Sequence, residues 1–340
     1  MRVMMTGGTG FAGSHTVRRF LAAGHSVRLL VRDAQKVRRV YDPLGIGIPE
    51  RDVIVGDITD EASVERAMQG CDAVYHGAAL VSMRKTMAAE VLETNARGVE
   101  LVVGGAVRHG LPSIVYVSSS AIFFSPGCQP IHLDMPIAPG TTAYAQSKAQ
   151  AEHEIRRMQE EGAPIRVSYP TGIIGPDDPG LSDANAAVCI FFKQTGVNTS
   201  SGFQIVDVRD LAELHLKMLE LPEGWARYAA AGPMLEWPET YCVLDEITDT
   251  RLRRFPVSGP VFRAMGTIGD WIKRVYDFEF PLTRDAMEYA TQWPGCSGEQ
   301  TTRELGVEFR DARETYTDTV RWMYQAGHLT AKHVGLLAND

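Results

Sequence analysis

Short apolar runs alternate with helix-like stretches through the first half of this 340-residue chain. A parallel sheet with helices on both faces needs such continuous apolar strands, because neither face meets water. The alternation therefore predicts an α/β fold with a doubly wound parallel sheet over residues 1–170. The six runs are RVMMT (2–6), SVRLLVR (26–32), DVIVGD (52–57), AVYHGAA (73–79), SIVYVSS (113–119) and PIRVSYP (164–170).

The alternation stops after residue 170. Turn-forming residues dominate 171–183, and the rest of the chain mixes helical patterns with connections that contain Pro and Gly. We expect a smaller, mainly C-terminal substrate-binding lobe over the carboxyl ends of the strands. It would consist of residues 171–201 and 233–340, with about residues 202–232 rejoining the main domain.

Residues 259–275, GPVFRAMGTIGDWIKRV, form one amphipathic helical pattern. Such a helix can lie on a membrane surface, or it can turn its apolar side toward the core or a pocket. The sequence favours the second interpretation, because most amphipathic helices of globular proteins face their own core.

Charge and composition argue against several functions. The net charge is −8 and no dense Lys/Arg run occurs beyond VRRV (37–40), so a nucleic-acid partner is not expected. The five cysteines are widely spaced and the histidines form no ligand motif, so neither a disulfide framework nor a metal site is expected. The longest apolar run, 186–192, is too short to span a bilayer, and no targeting segment is visible. These observations predict a cytoplasmic protein.

The first apolar run leads into TGGTGFAG, which places Gly7, Gly10 and Gly13 at the opening of a helix. Glycine allows positive φ, close approach of the backbone to a phosphate, and tight packing of helix on strand, while the helix terminus offers free N–H groups. The spacing differs from the usual GxGxxG. We nevertheless expect this loop, with Thr9 and Phe11, to bind a dinucleotide pyrophosphate in a Rossmann-type domain.

The second run ends in Arg32 and Asp33. A carboxylate here suits an unphosphorylated ribose, whereas a guanidinium suits a 2′-phosphate. Arg32, with Lys36 as a possible second contact, favours NADP(H), although NAD(H) remains possible and the two charges could instead pair with each other. After the third run, Asp57 and Ile58 would frame the adenine, or Asp57 would cap the following helix.

Tyr144 stands four residues before Lys148 at the start of a helical pattern, TAYAQSKAQAEHEI. This spacing puts both side chains on one face of a helix. An ammonium about 4 Å from the phenol, at an effective dielectric of about 20, contributes about 4 kcal/mol and would lower the tyrosine pKa from about 10 by about three units. The pair therefore predicts an acid/base group, with Lys148 also contacting the nicotinamide ribose.

Two further polar sites accompany this pair. Ser118, Ser119 and Ser120 follow the fifth run, where ligands bind in parallel sheets. Ser120 could donate to a substrate carbonyl, while Ser118 and Ser119 are expected only to make local backbone bonds at the end of the strand. Asn95, in an otherwise apolar helical pattern, either holds a water in a proton path or satisfies backbone groups inside its helix.

The loop TGGTGFAG with Ser120, Tyr144 and Lys148 resembles the short-chain dehydrogenase/reductase superfamily, specifically its extended branch, and the resemblance covers nearly the whole chain. It implies an enzyme in which Tyr144 is the acid/base, Lys148 its electrostatic partner, Ser120 the carbonyl donor and Asn95 a relay residue. The segment YPTGIIGP (169–176) is similar to the part of that branch that faces the nicotinamide. By the same resemblance, the further cofactor contacts are Ala78, Ala79, Pro170 and Ile173.

Several positions differ from the sugar-nucleotide members of that branch. Tyr169-Pro170, Ile173-Ile174 and Phe123-Phe124 replace more polar pairs, which favours a bulky, apolar substrate of the kind used by dihydroflavonol reductases and hydroxysteroid dehydrogenases. The alternative is that these apolar residues simply pack the core. We therefore expect an NADP(H)-dependent oxidoreductase for a carbonyl and a secondary alcohol. The alternatives are a nucleotide-sugar epimerase or dehydratase that retains NAD(P), and a non-catalytic NADP-binding sensor or scaffold.

The remaining expectations rest on analogy. Ser82, Met83 and His132 would line the pocket of a small-molecule substrate, although loop chemistry explains them equally well. His76 is expected to pack against the cofactor or the backbone. The family resemblance also suggests a homodimer through two long helices per subunit, one of which carries Tyr144.

Overall fold

The computed structural model describes residues 1–82, 84–272 and 283–338. Its strands are β1 (Arg2–Thr6), β2 (Ser26–Val31), β3 (Val53–Val55), β4 (Ala73–His76), β5 (Ser113–Val117), β6 (Ile165–Pro170), β7 (Gly172–Ile174), β8 (Gly196–Asn198), β9 (Gly202–Asp207), β10 (Ala226–Ala230), β11 (Met234–Glu236) and β12 (Arg254–Pro256). Its α-helices are α1 (Phe11–Ala22), α2 (Ala34–Tyr41), α3 (Glu61–Met68), α4 (Ala88–Gly98), α5 (Gly104–Arg108), α6 (Ala143–Glu160), α7 (Asp183–Lys193), α8 (Val208–Leu219), α9 (Trp237–Thr248), α10 (Gly259–Ile272), α11 (Arg284–Gln292), α12 (Glu299–Leu305), α13 (Ala312–Gln325) and α14 (Ala331–Val334).

Seven strands form one parallel sheet in the order β10-β6-β5-β4-β1-β2-β3. Thr6, at the end of β1, lies in register with Leu30 of β2 and His76 of β4. The chain order reverses beside β1, and open parallel sheets bind ligands at such a switch point. The predicted doubly wound parallel sheet is confirmed, and the six apolar runs supply β1 to β6 in order.

Two apolar cores flank this sheet. Met5 of β1 packs in one core with Val17 of α1 and Leu214 of α8. Met4, the neighbouring residue, packs in the other core with Ile155 of α6. Successive side chains of a strand point to opposite faces, so a strand that is covered on both sides must be apolar throughout. This requirement explains why the strands are continuous apolar runs rather than alternating ones.

The later part of the chain adds smaller sheets. Strands β11, β9 and β7 form one sheet, and β12 pairs with β8. Between β9 and β11 the chain returns to the large sheet, where α8 packs against α1 and β10 forms the edge strand beside β6. The division into a main domain and a lobe at 171–201 and 233–340 stays a prediction, and residues 273–282 and 339–340 lie outside the described residues.

Helix α10 differs from the sequence-based expectation. Its buried residues are the glycines Gly259, Gly266 and Gly269, whereas large apolar side chains such as Ile268 and Trp271 are exposed. The expectation of a core-facing or pocket-facing apolar side is therefore wrong for residues 259–272, because α11 packs against the glycine side. None of the helices in the described ranges has the length and hydropathy needed to cross a bilayer.

One buried amide joins the small sheet to the C-terminal segment. Nε2 of Gln204 in β9 donates to the carbonyl oxygens of Gly232 (2.9 Å) and Cys296 (2.7 Å). Its Oε1 accepts from the indole N–H of Trp293 (3.0 Å) and from the backbone N–H of Cys296 (2.8 Å). The amide uses both donors and accepts twice, so it fixes the segment that carries Trp293.

We expect Gln204→Met to lower the free energy of unfolding by about 3 kcal/mol, because buried N–H groups of Trp293 and Cys296 lose their acceptor. Urea unfolding at neutral pH measures this change. Gln300→Met is the matched control, because Gln300 is exposed in α12, and its effect should stay within about 0.5 kcal/mol. Equal stability of the two variants would show that the amide network contributes nothing.

Candidate active site

The loop between β1 and α1 is built for close backbone approach. Gly7 has a φ of 77°, and its carbonyl oxygen accepts from the N–H of Gly10 at 2.9 Å. A Cβ atom on Gly7 would lie 2.7 Å from the backbone nitrogen of Ala78, and one on Gly13 would overlap the Gly7 carbonyl. Helix α1 begins with no side-chain cap and no acid in its first turn. Its N–H groups are therefore available to an anionic ligand, as a pyrophosphate requires.

A cleft opens at the carboxyl ends of β1, β2, β3 and β4, next to this loop. It is lined by nine of the predicted cofactor residues: Gly7, Thr9, Gly10, Arg32, Lys36, Asp57, Ile58, Ala78 and Ala79. Phe11 and Gly13 lie in the first turn of α1, whereas Pro170 and Ile173 lie on β6 and β7, outside this lining set. The residues present fit a dinucleotide.

The charges at the end of β2 are arranged so that a cation faces the cleft. Asp33 caps α2 by accepting from the N–H of Gln35 (2.8 Å), and it also pairs with Arg39 (2.6 Å). These two contacts lower the pKa of Asp33. The expected alternative, an Arg32–Asp33 pair, is therefore not formed, and within the described residues Arg32 has no carboxylate at ion-pair distance. Arg32 and Lys36 line the cleft as exposed cations.

The third strand end also departs from one expectation. Asp57 makes a local turn, in which it accepts from the backbone N–H (2.9 Å) and the hydroxyl (2.8 Å) of Thr59. The cap of α3 is instead Asp60, which accepts from the N–H of Ser63 at 3.0 Å. The alternative that Asp57 caps this helix is therefore wrong, and Asp57 remains beside Ile58 in the lining of the cleft.

Tyr144 and Lys148 lie in the first two turns of α6, whose cap Thr142 accepts from the N–H of Ala145. The Lys148 side chain is buried, and its ammonium donates to the carbonyl oxygen of Val117, the last residue of β5, at 2.9 Å. The Lys148 nitrogen is 6.0 Å from the ring centroid of Tyr144. Helix and strand end therefore bring the pair to the edge of the sheet at which the cleft opens.

The predicted lowering of the tyrosine pKa is not observed. Burial, together with repulsion from the carboxylate of Asp183, raises the pKa of Tyr144 to about 12. Burial lowers the pKa of Lys148 to about 8, although the carboxylate of Glu152 opposes that change. The expectation was wrong in sign because loss of solvation dominates and the Lys148 ammonium is directed at the Val117 carbonyl instead of the phenol. In this arrangement the phenol is protonated at neutral pH.

A buried carboxylate that the sequence analysis missed lies one turn beyond Lys148. Glu152 is fully buried and accepts from the Tyr169 hydroxyl (2.6 Å), the Arg156 Nε–H (2.9 Å) and the Ser118 hydroxyl (3.3 Å). It joins α6 to the ends of β5 and β6. The signal was present in the four-residue spacing of Tyr144, Lys148, Glu152 and Arg156, which puts all four on one helix face.

The three serines have different roles. Ser120 is buried and its hydroxyl donates to the carbonyl oxygen of Pro170 at 2.9 Å. Ser119 accepts from the N–H of Ala121 at 3.2 Å, which confirms its expected local bond. The same expectation was wrong for Ser118, because its hydroxyl reaches Glu152 instead of the nearby backbone.

Asn95 connects two segments. Its Oδ1 accepts from the N–H of Leu80 (2.7 Å), and its Nδ2 donates to the carbonyl oxygen of Leu80 (3.0 Å) and the hydroxyl of Ser147 (2.9 Å). The alternative that it satisfies backbone groups within its own helix is wrong, because both backbone bonds go to the loop after β4. Asn95 holds this loop against α4 and α6, and its role as a relay stays a prediction.

The residues predicted by analogy for the substrate pocket receive little support. His132 is exposed, Ser82 accepts from the N–H of Arg84 at 3.2 Å, and Met83 lies outside the described residues. His76 is buried, bonds Thr6 through Nδ1 (2.7 Å) and stacks on Tyr116. Burial and the charge of Lys148 lower the pKa of His76 to about 3, so this neutral ring packs the site.

An aromatic group that the sequence analysis did not identify follows the serines. It consists of Phe124, Tyr289 of α11 and Trp293, with centroid distances of 5.4 Å from Phe124 to Tyr289, 5.8 Å from Phe124 to Trp293 and 4.6 Å from Tyr289 to Trp293. The group starts four residues after Ser120 and combines segments far apart in sequence. Phe124 and Tyr289 are partly buried, and Trp293 belongs to the buried core on one face of the sheet. The described residues contain no group of three or more His, Cys, Asp or Glu that could hold a metal ion.

Residues 3–229 match the model of the NAD dependent epimerase/dehydratase family. The chain belongs to this family. The match confirms the resemblance to the extended short-chain dehydrogenases/reductases and the assignment as an enzyme of that type. It also agrees with a dinucleotide cleft at the switch point of the sheet.

Two relatives and one solved structure illustrate the similarity. Sterol demethylase protein B of Methylococcus capsulatus is 27% identical over 96% of this chain and 99% of its own. A provisionally named dihydroflavonol 4-reductase of Synechocystis sp. is 30% identical over 96% of this chain and 95% of its own. The structure of UDP-glucose 4-epimerase from Bifidobacterium longum with NAD+ and UDP has a TM-score of 0.72 and 18% identity, covering 96% of this chain and 99% of that one. The structural likeness shows that the fold is shared.

For this family member we expect turnover to fall as pH rises through about 8. Lys148 is cationic below its pKa of about 8 and neutral above it, and a neutral amine cannot stabilise negative charge on a substrate oxygen. The dependence of kcat/KM on pH measures this. In Lys148→Arg the cation persists to much higher pH, so the decline should move upward. A wild-type profile that stays level well above pH 8 would contradict the role of the cation.

Proposed function

We propose that this protein is an NADP(H)-dependent oxidoreductase that interconverts a carbonyl and a secondary alcohol on a bulky, rather apolar substrate. The observation that carries the proposal is the buried Lys148 ammonium, held by Val117 at the end of β5 with Tyr144 one turn away on α6. Burying a cation beside a phenol costs free energy. Such pairs are typical of active sites, where the cation acts on a bound ligand.

The proposed cofactor contacts follow from the cleft. The N–H groups at the start of α1 would hold the pyrophosphate, and Arg32 with Lys36 would hold a 2′-phosphate through charge-assisted hydrogen bonds. Because the Asp33 carboxylate already accepts from the Gln35 N–H and from Arg39, it is less available to a ribose hydroxyl, which supports NADP(H) over NAD(H). When bound, the nicotinamide supplies or accepts the hydride.

The protein side chains would manage the proton and the charge. Tyr144, with a pKa of about 12, is protonated at neutral pH and therefore suited to donate to the oxygen of a carbonyl that is being reduced. Lys148 would stabilise the negative charge that develops there. Ser120 would contribute a hydrogen bond once its hydroxyl turns from the Pro170 carbonyl toward the substrate.

The apolar surroundings support a bulky substrate. The partly buried rings of Phe124 and Tyr289 pack on the buried Trp293, and such rings would suit a bulky apolar substrate better than the hydroxyl groups of a sugar. Sterol demethylase protein B and dihydroflavonol 4-reductase are named for large ring systems. The substrate contacts of Ser82 and His132, the homodimer through two long helices per subunit, one of them α6, and the cytoplasmic location all stay predictions.

A second candidate is a nucleotide-sugar epimerase or dehydratase that retains NAD(P). The fold shared with UDP-glucose 4-epimerase over 96% of this chain supports it. Release of cofactor during purification and net NADPH oxidation with ketones would favour the oxidoreductase, whereas retained cofactor with no net absorbance change would favour the epimerase. A non-catalytic sensor is less well supported, because both Tyr144 and Lys148 are present.

We expect Tyr144→Phe to reduce the rate of NADPH-dependent ketone reduction by roughly 10²- to 10⁴-fold, because the proton donor is lost. NADPH affinity, measured by fluorescence titration, should change little. Tyr324→Phe in α13 is the control and should keep full activity. Wild-type-like turnover in Tyr144→Phe would show that Tyr144 is not the acid/base. The substrates to screen are bulky ketones, aldehydes, steroids and nucleotide sugars.

We expect Arg32→Ser to reduce the preference for NADPH over NADH by about ten- to a hundred-fold, because charge-assisted hydrogen bonds to the 2′-phosphate are lost. Parallel measurements of kcat/KM with both cofactors test this. Arg38→Ser is the matched control, since Arg38 is an exposed residue of α2 that pairs with Glu50 at 2.8 Å. An equal loss with both cofactors would refute 2′-phosphate recognition.

A further inference from the structure

Helix α10 presents an apolar face to solvent. Large apolar side chains recur on its outer side, and the exposed fractions reach 54% for Val261, 59% for Ile268 and 67% for Trp271. Met265 and Ile272 continue the same surface. The apolar face of α10 is defined by these five residues. Single exposed apolar residues are ordinary, but five on one helix mark a surface that contacts something apolar.

The orientation of this helix is determined by its glycines. A Cβ atom on Gly266 would lie 2.6 Å from the carbonyl oxygen of Thr283 and 2.8 Å from Cγ of Met287 at the start of α11. One on Gly259 would lie 2.8 Å from the Ser200 hydroxyl. Only the glycine side can pack this closely, so α10 cannot rotate to bury the larger side chains. The outward direction of the apolar face is thus a property of the packing.

A group of basic side chains lies beside the chain segment that precedes α10. A shallow concavity there is lined by Lys193, Arg251, Arg253, Lys332 and His333, and none of the described residues that line it is Asp or Glu. Within the described residues, the four Lys and Arg side chains have no carboxylate at ion-pair distance. This concentration of positive charge stands out in a chain with a net charge of −8.

Strand β12 connects the basic group to the helix. It begins at Arg254, directly after the basic residues, and ends three residues before α10. Phe255 in this strand is exposed. The stretch 251–272 therefore carries cations, an exposed aromatic ring and the apolar face in succession.

We propose that the apolar face of α10 and the basic group dock this protein on the surface of an anionic lipid bilayer, with α10 lying in the plane of the interface. An interfacial helix buries an apolar side to the depth of the acyl boundary, while nearby cations are attracted to anionic headgroups. Each signal alone gives weak binding, and the two together give stable attachment. The charge of the basic group complements the anionic headgroups of such a bilayer.

The docked helix adjoins the candidate active site. Helix α11 packs against α10, and the ring of its Tyr289 lies 5.4 Å from that of Phe124, four residues after Ser120. Tyr289 of α11 belongs to the aromatic group. Membrane docking would thus bring the aromatic group close to lipid, where bulky apolar substrates partition. This last link rests on the proposed function, whereas the docking itself does not.

Sedimentation of the full-length protein with vesicles tests the proposal. We expect binding to vesicles of phosphatidylcholine mixed with phosphatidylglycerol, and much weaker binding to phosphatidylcholine alone. The double variant Ile268→Ser, Trp271→Ser should bind at least roughly ten-fold more weakly, because exposed apolar anchors are lost. The double variant Arg251→Ser, Arg253→Ser should lose the difference between the two vesicles, and high salt should do the same.

The control is Val55→Ser, which removes an equally exposed apolar side chain from the edge strand β3. It should bind like the wild type, and circular dichroism verifies the fold of each variant. Absence of vesicle binding, or equal binding by all variants, would overturn the proposal. So would light scattering that shows a dimer in the wild type and a monomer in the Ile268, Trp271 variant. Failure of ketone reduction would leave the vesicle result unaffected, so the two proposals fail separately.

Discussion

The buried ammonium of Lys148 is the constraint on which the candidate site depends. A cation removed from water is unfavourable unless nearby groups replace the lost hydration. The carbonyl of Val117 accepts one hydrogen bond, the face of the Tyr116 ring lies 5.2 Å from the nitrogen, and Glu152 adds negative charge one turn away. Val117 and Tyr116 belong to β5 and Glu152 to α6 itself, so the first two partners are present only when α6 docks against the end of β5. Tyr144, on the same helix face, is therefore positioned together with Lys148.

Glu152 belongs to the same network: it anchors α6 and favours the protonated form of Lys148. Its carboxylate satisfies Arg156, Tyr169 and Ser118, and so fastens α6 to the last strands of the sheet. It also favours the charged form of Lys148, yet burial dominates and the pKa of the lysine falls to about 8. The result is a cation that is charged at neutral pH and sensitive to a modest rise in pH. The adjoining phenol stays protonated, which suits proton donation better than proton removal.

The two sides of the site are built by different means. On the cofactor side, glycines and a bare helix terminus leave space and N–H groups, and the capping role of Asp33 leaves Arg32 facing the cleft. On the substrate side, Gln204 fixes the segment of Trp293, and α11 carries Tyr289 against Phe124. The glycine side of α10 then packs on α11, which turns its large apolar residues outward. As proposed, substrate recognition and membrane docking would both depend on the packing of α10 against α11.

The sheet, the glycine loop after β1 and the Tyr144–Lys148 spacing could be predicted from sequence, because they depend on local periodicity and on residues close together in the chain. The sign of the Tyr144 pKa shift, the partners of Asn95 and Ser118, and the capping role of Asp60 could not, because they depend on the folded surroundings. Which side of α10 is buried could not be predicted either, because the glycine side is buried by its packing against α11. Burial, solvation and long-range contacts arise only when distant segments meet, and a linear pattern does not encode which of two helix faces will find a partner.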